Sequence, residues 1–473
     1  MDNHRRQHPA AILRYTGRFI FLLLVPLFRG SLHIRSPYGI YAWLRGGWVD
    51  LLTVGLLLAL SWLSWWLHTY RLTPESLTVR RGILVRRTTV IPLRFLTTLT
   101  VERRFLYRPF GVVRVTADTD AGHRRMADVS LLVGRREAVL FSAEKADAPV
   151  YRPSYGRLVL LSLFFSNSLS GVVLLAVTLR QAGLLLGEGV GQLVLEGLQA
   201  AAGAVTVIPR TAALLGLVLL GGWLVTAVGH LLRHLPFSAQ RREDLLVITT
   251  GWLTRRTHTC AVKAVHYADF RRTLPALLTG RGTVYICCTG YGKDKNTLAV
   301  LIPPTRPKQA DAELSRLLPS YLSVPLTVRP GFSALWRYVR LPLLTGLSLW
   351  LFAERLAGLL PSWAAALGPL VGVGVLPCGW LLAMRVAAFR LAGLGCADGR
   401  LTLSTWRRLT LHRVTVPLSH VTTLRLRQSP FQRLSGRCDV WIYTANEARH
   451  PYRIRHLPLW EVERLPILFR KEE

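Results

Sequence analysis

The sequence predicts an α-helical membrane protein with β domains: six transmembrane helices arranged as three hairpins, each followed by a cytoplasmic β-sandwich or barrel. Three observations predict it. Half of the 473 residues are hydrophobic. The 60 basic residues outnumber the 26 acidic ones, for a net charge of +34, and they gather in blocks between apolar stretches. One strand-and-glycine pattern occurs three times at constant spacing, and self-similarity on that scale points to one architectural unit copied along the chain.

The basic blocks come first because they orient everything else. Residues 70–156, 233–329 and 385–473 carry 16, 15 and 16 basic side chains against 8, 6 and 7 acidic ones. An Arg/Lys excess beside apolar spans marks cytoplasmic segments, so all three blocks are expected on one side of a membrane. Such charge favours anionic surfaces, either phospholipid head groups or nucleic acid. No aromatic RNA-binding run or helix-turn-helix pattern supports nucleic acid, which is not expected as a partner. The six cysteines form no CxxC pair and read as small buried hydrophobes.

In chain order, residues 1–69 form the first expected hairpin, with a short span at 11–28 and a stronger one at 48–67. The second span is about the length needed to cross a ~30 Å hydrocarbon core. Trp62, Trp65, Trp66 and Tyr70 close it with an aromatic belt. A β domain follows at 70–150. The second hairpin, 151–234, has spans at 158–179 and 211–232 around an external loop at 180–210, and its β domain is 235–325. The third hairpin, 326–389, has spans at 338–353 and 363–386, and its β domain is 390–473.

The three β regions align without gaps through their centres. Pro92, Ala261 and Pro417 share one position, and nineteen residues later stand Gly111, Gly280 and Gly436. Ten residues before that shared position stand Gly82, Gly251 and, as a departure, Arg407. Glycines at fixed spacing indicate turns that need positive φ or close approach. Between them, LTVRRGILVRRTTVIPL, LLVITTGWLTRRTHTCAV and LTLSTWRRLTLHRVTVPL alternate with period two, as strands do. Leu314, Leu317, Leu318 and Tyr321 recur at helical spacing and predict a closing helix in the second copy. LPLWEVERLPILF predicts one in the third.

These residues carry a family resemblance. LTPESLTVRRG and VIPLRFLTTLTV in the first copy, with VTVPLSHVTTLRL and QSPFQRLSGRCDVWIYTA in the third, resemble the bacterial pleckstrin-homology-like (bPH2) domain membrane proteins of the YdbS/YdbT family. The three-copy length is similar to the YdbT type. The second copy departs most, with RTLPALLTG in place of the "lqrl" run. The resemblance implies PH-like domains, each a bent antiparallel sandwich or barrel capped by a helix. A fold of that kind hosts many functions, so it does not by itself name one.

No HExxH, P-loop, GxSxG or four-cysteine pattern appears, and the acids are unclustered. No catalytic, cofactor-binding or metal-ligating residues are predicted, and the chain is not expected to be an enzyme. The remaining signal is arginine. Arg86, Arg87, Arg103, Arg104, Arg255, Arg256, Arg271 and Arg272 are candidates for contact with anionic lipid head groups, where a guanidinium suits phosphate. The functional expectation is a non-enzymatic, multi-pass protein of a bacterial cytoplasmic (inner) membrane. Its PH-like domains would act as a protein- or lipid-binding scaffold, in envelope maintenance or stress and antimicrobial resistance. Membrane lipids, other membrane proteins and a smaller PH-like membrane protein are the expected partners. The alternative is a component of a transporter or exporter.

Overall fold

The computed structural model describes residues 5–17, 48–119, 127–138, 149–166, 171–174, 176–177, 189–203, 210–288, 299–359, 364–407, 409–444 and 451–466. The chain divides into two compact units. Unit 1 comprises residues 1–148 with 245–249 and 253–264, and unit 2 holds the rest.

Unit 1 opens with a two-residue strand, β1 (Arg5–Arg6), and helix α1 (Ala11–Thr16), followed by helix α2 (Trp48–Leu67). The strands of the first copy are β2 (Thr69–Leu72), β3 (Ser76–Arg81), β4 (Arg87–Pro92), β5 (Leu96–Arg104), β6 (Val112–Thr119) and β7 (Val129–Gly134). β1-β2-β3-β4 form one antiparallel sheet with β4 at its edge. The sequence alternation tells which side chains turn inward. Tyr70, Leu77, Val79 and Ile91 from this sheet meet Val101, Val113, Val115, Ala117, Val129, Leu131 and Val133 from β5-β6-β7 in one core. Leu132 points the other way from its neighbours on β7 and packs with Ala11 and Tyr15 of α1, with Trp65 alongside. Trp65 Nε1 donates to the Gln7 carbonyl at 2.8 Å, which fixes the N-terminal residues to α2.

Unit 2 carries β8 (Val150–Tyr151), β9 (Ser238–Arg242), β12 (Val265–Arg272), β13 (Gly282–Cys288) and β14 (Ala299–Thr305). The third copy supplies β15 (Gly393–Ala397), β16 (Arg400–Arg407), β17 (Thr410–Pro417), β18 (Val421–Arg427), β19 (Arg437–Thr444) and β20 (Tyr452–Pro458). One six-stranded sheet runs β14-β13-β12-β17-β16-β15, and a three-stranded sheet runs β18-β19-β20. Leu401, Leu403, Val414 and Val416 from the first face Val440, Ile442, Ile454 and Leu457 from the second. The closing helices lie where periodicity places them, α3 at Pro307–Leu317 and α4 at Leu459–Glu463. Leu314, Leu317, Leu318 and Tyr321 are all buried, although the helix ends at Leu317 and a short 3-10 turn carries Tyr321. The corresponding stretch of the first copy, residues 142–149, lies largely outside the described residues.

The six transmembrane helices expected as three hairpins are overturned. Among the described residues, one helix, over Gly216–His234, is long and apolar enough to cross a membrane. Elsewhere the expected spans are shorter in the structure, carry charged residues, or fall partly outside the described residues. The expected span at 11–28 begins as a six-residue helix, and its remainder from residue 18 lies outside the description. The helix expected over 158–179 runs from Tyr155 and stops at Phe165. The apolar stretch Leu52–Leu67 is also short of a span. The helix Leu335–Leu359 includes Pro342 together with Arg337, Arg340, Glu354 and Arg355. Part of the 363–386 segment is outside the described residues.

The repeated glycines behave as the spacing predicts. Gly111, Gly280 and Gly436 have φ of 62°, 64° and 60°, and Gly82 and Gly251 are also positive. In the third copy, where Arg407 replaces that earlier glycine, Leu409 takes the positive φ at 64°. The turn is therefore kept two residues later at the strain of a side chain in the left-handed region.

Candidate functional site: the strand seams between copies

Strands of neighbouring copies pair directly. In unit 1, β10 (Leu245–Thr250, to Thr249) and β11 (Thr254–Ala261) of the second copy extend the first copy's sheet, as β7-β6-β5-β11-β10. β5 and β11 pair antiparallel from Thr98↔Cys260 to Arg104↔Thr254. In unit 2, β12 of the second copy pairs with β17 of the third from Ala268↔Thr415 to Arg272↔Leu411. The two seams have one register. Thr100, eleven residues before Gly111, faces His258, three before Ala261. Asp269, eleven before Gly280, faces Val414, three before Pro417.

Because side chains alternate along a strand, a seam strand serves two neighbours at once. On β12, Ala268 and Phe270 line a small cleft with Leu314, Tyr321 and Arg413. Tyr267, on the opposite face, joins the core of the third copy. Asp269 shares that second face and is fully buried.

The polar chemistry of the chain concentrates in these seams. In unit 2, Arg271 Nε lies 2.6 Å and His412 Nδ1 2.8 Å from the same Asp269 carboxylate oxygen. Burial alone would push the Asp269 carboxyl up. The His412 and Arg271 charges and hydrogen bonds outweigh it and hold the carboxyl below its ordinary value. The Arg271 guanidinium also stacks over the Tyr285 ring at 4.5 Å. Burial, reinforced by the neighbouring Asp269, pushes the Tyr267 and Tyr452 hydroxyls far above the usual phenol range. Burial and then the nearby Arg413 push Arg272 down to about 10.

In unit 1, Glu102 is the hub. Arg256 Nε approaches one of its oxygens at 3.1 Å, and Arg104 Nε and Arg114 Nη1 approach the other at 3.3 and 3.8 Å. Arg103 and Arg255 face each other across the seam. Thr100 and His258 Nδ1 share a hydrogen bond of 2.8 Å. Burial, then Arg256, pushes the His258 imidazole down to about 3, so it stays neutral.

The eight candidate arginines thus fall into three settings. Arg86 and Arg87 stand exposed at the β3–β4 turn. Arg103, Arg104, Arg255 and Arg256 are brought together at the first seam. Arg271 and Arg272 belong to the second seam, where Arg271 is largely buried and ion-paired rather than displayed. Sequence reasoning missed Glu102, Asp269 and His412. The available signal was that Glu102 and Asp269 are rare acids on strands otherwise rich in Val, Thr and Arg.

A further polar hub explains the motif that carries the resemblance. Ser429 and Gln432 form a capping box on the turn Pro430–Leu434. The Gln432 amide then donates to Asp439 Oδ1 at 2.8 Å and meets His456 Nδ1 at 3.0 Å. Arg453 Nη2 reaches Asp439 Oδ2 at 2.6 Å. The Gln-Arg-Leu run is therefore structural: its glutamine satisfies buried groups on two strands of the sheet.

Residues 20–148 and 342–470 each match the bacterial PH domain family, and together they cover more than half of the chain. These are the first and third copies with the segments that precede them, and the second copy lies outside both matched ranges. No curated protein and no solved structure matches the chain. The PH-like sandwiches described above and this two-part match place the chain in the bacterial PH domain family.

Proposed function

We propose that this chain is a non-enzymatic scaffold at the inner face of a bacterial cytoplasmic membrane, of the three-copy YdbT type, whose PH-like domains bind protein and lipid. One observation carries the membrane contact. In every copy, the turn before the shared glycine displays large apolar side chains to solvent beside arginine. The first copy shows Phe105 and Phe110, 59% and 57% exposed, beside Arg108, and the second shows Leu278 at 79%, with Arg281 following. The third shows Phe431 at 74% and Leu434 at 89%, flanking Arg433. Apolar tips with adjacent cations suit the boundary between acyl chains and anionic head groups, where each basic residue contributes about 1 kcal/mol. Trp66 of α2, capped by the Arg6 guanidinium at 3.6 Å, adds an interfacial pair of the same kind. Envelope maintenance and stress resistance are processes consistent with such a scaffold. Nothing among the described residues adds support to the transporter alternative.

The test uses the full chain with its six native cysteines replaced and an environment-sensitive NBD dye at Leu434→Cys. In nanodiscs with anionic lipid the emission shifts to the blue, and the shift weakens in neutral nanodiscs or at high salt. Emission typical of water in both lipid compositions overturns the membrane contact.

A further inference from the structure

The two seams share a charge rule as well as a register. The residue five before the shared position is basic in every copy: Arg87, Arg256 and His412. In both occupied seams that residue meets a carboxylate from the preceding copy. Arg256 pairs with Glu102 at 3.1 Å, and His412 pairs with Asp269 at 2.8 Å. Arg87 holds the same position in the first copy, where no strand of another copy pairs with it among the described residues. It lies on β4, the edge strand of its sheet. It is exposed and has no ion pair among the described residues.

The bend leading into β4 and Val90 on the strand itself are also open. Leu84 is 97% exposed, Val85 68% and Val90 57%. An unpaired strand edge with exposed apolar side chains is a template for strand addition. We infer that the β4 edge is a third seam, completed by an acidic edge strand from another polypeptide whose carboxylate meets Arg87. This rests on the binding-scaffold reading and names the partner chemistry for one of its surfaces.

A second copy of this chain fits less well. Its open counterpart to β5 and β12 would be β18. β18 has no carboxylate at either place that supplies one in the existing seams: Arg425 and Arg427 stand eleven and nine residues before Gly436, as Asp269 stands before Gly280 and Glu102 before Gly111. The strand that fits carries an acid where β5 carries Glu102 or where β12 carries Asp269.

The experiment uses the full chain and three fluorescein-labelled nonapeptides built on the β5 sequence: LTTLTVEQQ, LTTLTVQQQ and LTTLTVKQQ. Anisotropy measures affinity, and hydrogen exchange locates the bound strand. The acidic peptide is expected to bind best and to slow exchange of the amides in residues 85–92. Arg87→Glu, a change at an exposed side chain, is expected to weaken the acidic peptide about tenfold and to favour the lysine peptide instead. Three results would each overturn the inference: no protection of 85–92 at millimolar peptide, equal affinity for all three peptides, or sedimentation showing that β4 is protected by self-association. None of these depends on the dye-labelled nanodisc readout, so the edge and the membrane contact fail or stand separately.

Discussion

At the scale of single residues, Asp269 is the chain's most consequential carboxylate. It has left water completely, and Arg271 on its own strand and His412 on the neighbouring strand compensate it. Removing one member of a buried ionic group leaves the others uncompensated, which costs about 3–5 kcal/mol. Asp269→Ala is therefore expected to destabilise unit 2 by roughly that amount, with Asp269→Asn milder because it keeps an acceptor for Arg271. Denaturant unfolding followed by a fluorescence probe in unit 2 measures both. A loss below about 1 kcal/mol for the alanine variant would mean that the seam does not depend on this hub. Arg271, proposed from the sequence for lipid contact, is thereby reassigned. Its guanidinium is held by Asp269 and Tyr285 and supports the seam from inside.

At the scale of elements, the strands and turns were legible because their signals are local. Period-two alternation located the strands, and the glycine spacing located the turns. Gly280 illustrates the turn requirement: its φ is 64°, and no atom lies within 4 Å of where a Cβ would stand, so the constraint is conformational rather than steric. Gly280→Val is expected to lose about 1–2 kcal/mol, since a β-branched residue is strained at positive φ, and Gly280→Asn to lose less. Thermal unfolding of the two variants checks the ordering, and equal values would contradict it. The seams were not legible. Which edge strand pairs with which is decided by contacts between residues more than 140 positions apart, such as Glu102 with Arg256, and no short-range pattern encodes that choice. The same limit explains the helices. Hydropathy marks apolar residues, but the length of the helix that carries them depends on where it breaks, as it does after Phe165.

At the scale of the whole molecule, buried titratable groups give both units the same response to acid. His258 in unit 1 is held down to about 3 and His456 in unit 2 to about 4, both chiefly by burial. Folding keeps them neutral, whereas the unfolded chain takes up protons below about pH 6.5. Asp269 and Asp439 are also held below their usual values, by His412 with Arg271 and by Arg453 with His456 and Gln432, against the opposing effect of burial. Every one of these folded-state values is depressed, so the stability they confer is complete above about pH 6.5 and falls as pH drops. The slope expected from His258 is about 1 kcal/mol per pH unit between roughly pH 6 and 4, and His258→Gln should flatten it in unit 1. Denaturation midpoints across that range test this, and a flat profile for the native chain would refute it. The candidate site was thus half visible beforehand: the arginines were, while their carboxylate partners and the shared edges appear only when separate copies are brought together.

The alternating allegiance of β12 has a consequence for how this chain can change over generations. Ala268 and Phe270 serve one fold while Tyr267 and Asp269 serve the next. Deleting a single residue from this strand would exchange the two sets, sending a carboxylate toward the cleft and a phenyl ring toward the ionic hub. Lengthening the β13–β14 connection, by contrast, would exchange nothing. Insertions and deletions should therefore accumulate in the connections and be purged from the seams, whatever the individual side chains do.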